Sequence, residues 1–185
     1  IAAHRRAIKL RPDLSMLHSN LLLTLHYHAG YSAADLAREH KSWADRHVAP
    51  LGAERRPHEN DPTPERRLRV GYVSPDFREH AVARFMLPLL EHHDAHQVEL
   101  FAYADVPEPD SITARIRERC DHWRDCTRLT DSQLAAAVRE DRIDILVDLA
   151  AHSGRNRLLA FARKPAPVQI TYLAYCSTTG VDAID

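Results

Sequence analysis

The chain has 185 residues, 44% of them hydrophobic, with 25 Lys and Arg against 26 Asp and Glu and a formal net charge of −1. That is enough for one domain of ordinary size with a packed core plus an accessory segment, and the near-neutral balance supplies no field to gather nucleic acid or an anionic membrane. No apolar run approaches the roughly 20 residues of a bilayer span, no charged start leads into an apolar signal core, and Cys120, Cys126 and Cys176 are too few for a disulfide framework.

These features point to a cytoplasmic protein without a membrane or nucleic-acid partner. The sequence opens on Ile1 and ends at Asp185 just after a strand-loop signal, so it reads as part of something longer.

Residues 1–49 are helical in pattern. Ala3, Ala7, Ile8 and Leu10 close one amphipathic stretch before Pro12, and a second runs from Ser15 to Tyr27. A third starts at Ser32, whose hydroxyl caps free backbone N–H groups while Asp35 reaches back from the third position. Leu36, His40, Trp43 and His47 share one face of it. Ala3 to Pro12 has the small-residue spacing and terminal proline of the second helix in a tetratricopeptide repeat, a unit stable only when stacked. On pattern alone, the end of a helical solenoid and an isolated helical hairpin are equal readings. Residues 50–67 carry Pro57, Pro62 and Pro64 among charges without periodicity, a linker or surface crossing.

From Leu68 strands and helices alternate. The predicted order is strand Arg69 to Val73, helix Val82 to Glu91, strand Val98 to Tyr103 and helix Ser111 to Arg119 capped by Asp110. Helix Asp131 to Glu140, strand Ile143 to Leu149, helix Arg157 to Ala162 and strand Val168 to Tyr175 follow. Such alternation calls for right-handed crossovers and a parallel sheet with helices on both faces, a doubly wound α/β lobe over residues 68–185. In a parallel sheet the C-terminal strand ends share one edge, so Ser74 to His80, Ala150 to Asn156 and Cys176 to Gly180 are expected to face one crevice.

The first loop offers Asp76 and His80 four apart; with a helix beginning near Asp76 both would sit on one face, a carboxylate and an imidazole within reach of one hydroxyl. The second brings His152, Ser153, Arg155 and Asn156, and the third supplies small hydroxyls and free N–H groups of the kind that hold sugar or phosphate oxygens. Each also has a plain structural reading: Ser-Pro-Asp as a helix cap, Thr178-Thr179-Gly180 as a turn. Gly71 lies inside a strand with no second glycine nearby, which disfavours a self-contained dinucleotide domain. His92, His93 and His96, and Cys120 to Cys126 around His122, lack the paired spacing of a tetrahedral metal site, and no metal is expected. Gln169 is polar inside a strand and must find partners, either at an edge or in support of the site.

Val70-Gly-Tyr-Val-Ser-Pro-Asp-Phe-x-x-His80, Ile143 to Leu149, Asn156-Arg-Leu158 and Phe161-Ala-Arg-x-Pro-Ala-Pro-Val-Gln169 through Thr179-Gly180 together resemble the O-GlcNAc transferase and Spindly family, more narrowly its bacterial tetratricopeptide members. Ala7 to Asp13, followed by His18-Ser19-Asn20-Leu21, extends the resemblance over nearly the whole chain. It implies the last repeat, connecting helices and N-terminal lobe of a two-lobed glycosyltransferase of the GT-B architecture. The implied reaction is inverting transfer of N-acetylglucosamine from UDP-GlcNAc to Ser or Thr hydroxyls of proteins reached through the repeat region. The UDP-sugar is a substrate and no cofactor is implied.

By the same resemblance, Asp76 and His80 match the family's proton-acceptor and sugar-contact positions. Leu173, Ala174, Thr178, Thr179 and Gly180 match its loop beside the sugar, His152 joins the substrate-binding set, and His18 matches a histidine near the acceptor site. Most groups holding the uridine diphosphate belong to the family's second lobe, so a chain with this lobe alone is expected to fold but not to transfer.

The departures are Ala81 where the family has Pro, Cys176-Ser177 where Pro-Gly is common, and Ala174 and Ala151 where Gly is usual. A methyl at Ala174 is expected to narrow the sugar pocket. These changes bear on donor identity: GDP-fucose as donor, or glucose transferred onto Asn, occurs among relatives. They also sustain a rival reading, a non-catalytic peptide-binding scaffold.

Overall fold

The computed structural model describes residues 1–185. Three helices come first, α1 (Ala2–Leu10), α2 (Ser15–Leu25) and α3 (Ala33–His47), then a 3₁₀ helix over Ala49–Glu54. The capping box at the start of α3 forms as its sequence requires: Ser32 Oγ accepts from the Asp35 amide at 3.2 Å, and Asp35 Oδ2 accepts from the Ser32 amide at 2.8 Å. Helix α2 stops at Leu25, two residues before the predicted end, and Tyr27 lies exposed in the turn that follows.

Residues 55–67 hold no regular element and run along the N-terminal edge of the lobe. There Asn60 and Arg66 donate to the Asp144 carboxylate at 2.7 and 2.6 Å.

The lobe follows as β1 (Leu68–Ser74), α4 (Ala81–Glu91), β2 (Val98–Ala104), α5 (Ser111–Glu118), β3 (His122–Asp125), α6 (Asp131–Glu140), β4 (Ile145–Asp148), α7 (Leu158–Phe161) and β5 (Val168–Thr171). The five strands are parallel in the order β3-β2-β1-β4-β5. Alternation along each strand feeds two cores. Val70, Tyr72, Leu100 and Val147 pack with Val82, Met86 and Leu90 of α4 and Ile116 of α5. Val73, Phe101, Tyr103 and Leu146 pack with Leu134 and Val138 of α6 and Phe161 of α7 on the other face. Both faces being covered explains why the strands read as continuous apolar runs. Gly71 is needed here, because a Cβ would come within 2.9 Å of Tyr103 and 3.1 Å of Leu146.

A third core joins the two parts of the molecule: Leu22 of α2 and Trp43 of α3 pack with Leu158 and Ala162 around α7 and with Val181 and Ala183 near the C-terminus. No helix is long and apolar enough to cross a membrane.

Three expectations are corrected. Strand β3 was not predicted, since His-Trp-Arg-Asp carries no apolar run. Strand β5 ends at Thr171 rather than Tyr175, because Leu173 and Ala174 take left-handed backbone angles (φ 61° and 60°) that no strand accommodates. Asp76 lies outside any helix: α4 begins at Ala81 with His80 as its cap.

Candidate active site

The chain winds outward from β1 through β2 to β3, then returns to place β4 and β5 on the other side of β1. The crevice beyond the C-terminal ends of β1 and β4 is therefore the switch point where open α/β sheets bind ligands. A cavity of about 610 Å³ lies there, lined by Pro75, Asp76, Arg78 and His80 after β1, Pro107 and Glu108 after β2, Ser153, Gly154 and Arg155 after β4, Ala174 after β5, and Leu23 and Tyr27 from the helical segment.

The turn carrying Asp76 and His80 is fixed from three sides. Ser74 is fully buried and its Oγ accepts from the Asp76 amide at 2.9 Å. Asp110, the predicted cap of α5, closes a capping box with Thr113 and also accepts from the Glu79 amide at 2.6 Å. His80 caps α4, its Nδ1 accepting from the Val82 amide at 3.3 Å. A backbone N–H has only a proton to give, so Nδ1 is the bare ring nitrogen and the neutral imidazole carries its proton on Nε2.

Asp76 Oδ2 stands 3.6 Å from His80 Nδ1, brought there by the turn rather than by a helical face. Burial lifts the Asp76 carboxyl above the ordinary carboxylate value, with His80 and Arg78 acting in the opposite direction. A raised carboxylate is a stronger proton acceptor than a free one, and the exposed imidazole beside it offers a donor.

Charge organises the rest of the rim. Asp105, buried at the end of β2, accepts from Arg157 at 3.0 Å and from Arg155, which in turn lines the cavity. Arg157, the N-cap of α7, also donates to the carbonyls of Leu129 and Cys126 at 2.8 Å each, so one guanidinium joins the segments that follow β2 and β3. Asp148, at the end of β4, accepts from the Ala150 and Ala151 amides and from Thr171 Oγ1 at 3.2, 2.7 and 2.9 Å. Complete burial pushes its carboxyl up to about 6. Ala151, Arg155, Leu173 and Ala174 all have positive φ, which gathers left-handed non-glycine backbone in the two loops beside the cavity.

The remaining predicted positions lie elsewhere. Beyond Ala174 the chain turns back toward α3, so Thr178 and Gly180 line a separate recess with Ala37 and Lys41. Gly180 is held against α3, where a Cβ would meet the His40 carbonyl at 3.0 Å. Thr179 is buried and its hydroxyl accepts from the Val181 amide at 3.2 Å. Leu173 packs against the core on the α4 side of the sheet. His152 is fully buried and bonds to Ser19 and to the Thr179 carbonyl rather than facing the cavity. His18 is buried on α2 against His47.

Gln169 supports rather than lines: its amide donates to the Phe161 and Ala183 carbonyls at 2.9 Å each, tying β5 to α7 and the C-terminal loop. His92 bonds the Pro88 carbonyl, His93 the Tyr72 hydroxyl and His122 the Glu99 carboxylate, while Cys120 and Cys126 sit apart in different cores.

Sequence reasoning missed Leu23, Tyr27, Pro107 and Glu108. The two after β2 were findable, since β2 ends on the same edge as β1 and β4. Leu23 of α2 and Tyr27 of the turn after it were not, because nothing in the helical pattern states how that segment docks.

Comparison with known proteins places the chain. The glycosyl transferase family 41 model matches residues 10–185. The chain belongs to this family. Among curated members it is 34% identical over 182 residues to the probable UDP-N-acetylglucosamine–peptide N-acetylglucosaminyltransferase SPINDLY of Solanum lycopersicum, covering 96% of this chain and 19% of that protein. It is 35% identical over 181 residues to SPINDLY of Arabidopsis thaliana, covering 96% and 20%.

A solved structure of a Thermobaculum terrenum O-GlcNAc transferase mutant superposes with a TM-score of 0.93 at 45% identity, over 100% of this chain and 35% of that one. The family 41 chain thus spans about a fifth of the length of the curated relatives it matches, and its doubly wound lobe is one lobe of the GT-B architecture.

Proposed function

We propose that this chain carries the N-terminal catalytic lobe of an inverting protein O-glycosyltransferase that moves N-acetylglucosamine from UDP-GlcNAc to Ser or Thr hydroxyls. The observation that carries the reading is the buried Asp76 carboxylate 3.6 Å from His80 in a cavity at the switch point of a family 41 lobe.

The chemistry follows from those two groups. The acceptor hydroxyl oxygen bonds to the anomeric carbon as the bond from that carbon to the diphosphate oxygen breaks, and the electron pair leaves with UDP. The hydroxyl proton passes to the Asp76 carboxylate, which burial has made more basic. His80, with its proton on Nε2, donates to a sugar oxygen and orients the ring.

Charge on the departing diphosphate is assigned to groups beyond this chain, as the family resemblance implies, and neither a metal nor a cofactor enters the scheme. Acceptor peptides approach from the helical side, where Tyr27 and Leu23 form the cavity wall. The setting is cytoplasmic, in keeping with three free cysteines and a balanced charge.

The departures at Ala174 and Ala151 keep a second donor in view. Calorimetric titration of the intact protein with UDP-GlcNAc and with GDP-fucose in parallel tests the reading. Saturable binding of UDP-GlcNAc alone is the expected result. Binding of GDP-fucose alone changes the sugar, and binding of neither donor favours the peptide-binding scaffold.

A further inference from the structure

Beside the third apolar core, the seam between the helical segment and the lobe carries a cluster of imidazoles. His18 and His26 of α2 and its end, His40 and His47 of α3, and His152 of the loop after β4 form a string with Trp43 and Tyr175. His26 lies 5.6 Å from His40, His40 5.1 Å from His152, His152 4.6 Å from Trp43, and Trp43 and His18 each 5.7 Å from His47. His40 and His152 are fully buried and His18 nearly so.

The hydrogen bonds fix the proton positions. His152 Nε2 faces the Thr179 carbonyl at 2.8 Å and must donate, so its Nδ1 accepts from the Ser19 hydroxyl at 3.1 Å. His40 Nδ1 likewise donates to the Leu36 carbonyl at 2.7 Å, leaving Nε2 to accept from the Tyr175 hydroxyl at 3.0 Å. Nδ1 of His18 and Nε2 of His26 and His47 are buried without any partner. The rings of His152, His40, His18 and His47 are thus satisfied, or merely tolerated, as neutral imidazoles, and a proton added to any of them would place a cation among other imidazoles.

We propose that this seam is an acid-opened clasp: with its imidazoles neutral it holds α2 and α3 on the lobe, and proton uptake between neutral pH and pH 5 releases them.

The electrostatic surroundings agree. The charged groups facing the string are Arg46 and Glu39 of α3 and Arg5 of α1, and Glu39, the one carboxylate, already pairs with Arg5 at 2.5 Å. No free anion therefore waits to receive an imidazolium. Burial pushes His152 down to about 3 and His18 down to about 4, and lowers His40 and His47.

A depressed histidine takes up its proton more readily once exposed. Its neutral state therefore stabilises the closed seam fully above the free value of about 6.5, and that support fades as pH falls from there toward the closed-state value. Asp148, buried at the end of β4 before the loop of His152, has the opposite sign, since its raised carboxyl favours the closed form as pH falls. The histidines outnumber it. The apolar residues of the seam form a third core that meets one sheet-face core at α7 and Ile184, so α2 and α3 can part from the lobe without the sheet opening. Opening would remove Leu23 and Tyr27 from the cavity; that consequence for acceptor binding rests on the transferase reading, whereas the clasp does not.

Hydrogen exchange of the intact protein at pH 7.5, 6.5 and 5.5, corrected for the intrinsic pH dependence of exchange, tests it. Each imidazole protonated only in the open state shifts the opening equilibrium about tenfold per pH unit below its free value. Residues 15–25 and 33–47 should therefore lose protection more than tenfold between pH 7.5 and 5.5 while residues 98–104 keep theirs. Unchanged helix protection would overturn the proposal, as would an equal loss in residues 98–104, which would mean general acid unfolding. His152→Gln, which keeps an N–H for Thr179 without titrating, should reduce the pH response about tenfold, and an undiminished response would remove His152 from the clasp.

Discussion

Ala174, like Leu173 beside it, holds a left-handed backbone that an L-residue adopts at a cost. Its φ of 60° is natural for glycine and costs an L-residue about 1–2 kcal/mol, and its methyl lies on the cavity wall. Ala174→Gly should raise the stability of the protein by about 1 kcal/mol, read as a shifted midpoint in urea unfolding, because strain relief exceeds the added chain entropy of glycine. A lowered midpoint would mean that the methyl contributes packing worth more than the strain.

The sequence marked Ala174 as an oddity against its resemblance, but the physical cause, a left-handed turn after β5, was invisible in an apolar run reaching Tyr175. Asp76 and His80 were legible as a spaced pair, yet the geometry joining them was misread: a fixed turn, not a helix face, brings them together. His152 was legible as a loop residue and was assigned to the substrate-binding set, but its burial against Ser19 was not legible, since that partner is 133 positions away.

At the level of elements, strands with apolar runs and helices with caps were readable to within two residues at most ends. Helix α6 shows why: Thr130 and Gln133 form a capping box and Leu134, Ala135 and Val138 make the buried stripe. Strand β3 escaped because its ladder to β2, not its side chains, makes it a strand.

The loop leaving β4 depends on Asp148, whose carboxylate organises the two amides after it and Thr171 on β5. Its folded value of about 6 lies above the free carboxylate value of about 3.9. The protonated form thus favours the fold fully below that free value, and the benefit is lost as pH rises through about 6. Asp148→Asn removes the buried charge but turns its NH2 group toward one of the two amides, which then lacks an acceptor. Relative to the parent it should gain about 2 kcal/mol of stability between pH 4 and pH 7.5 in paired urea titrations, as the parent's carboxyl ionises at a cost. A difference between the two proteins that is equal at both pH values would show that the carboxylate is not held ionised at a cost.

The whole molecule places a helical segment and a doubly wound lobe on two sides of one cavity, and the two contribute different chemistry. The lobe brings the ionisable pair, the helices bring an apolar and aromatic wall, and a third core with the imidazole seam joins them. The fold class and the crevice could be read from strand and helix alternation. The docking of the helices could not, because that interface is made of contacts between residues more than a hundred positions apart.

The central claim is that Asp76 accepts the acceptor hydroxyl's proton. The measurement that bears on it most directly is the rate of sugar transfer from UDP-GlcNAc to a Ser-containing peptide by the intact protein and its Asp76→Asn variant, alongside thermal melting of both. The account predicts that kcat falls at least about 100-fold while the melting temperature is unchanged or rises, since the variant removes a buried charge but keeps the turn. A variant that folds normally and transfers sugar at the parent rate would contradict it.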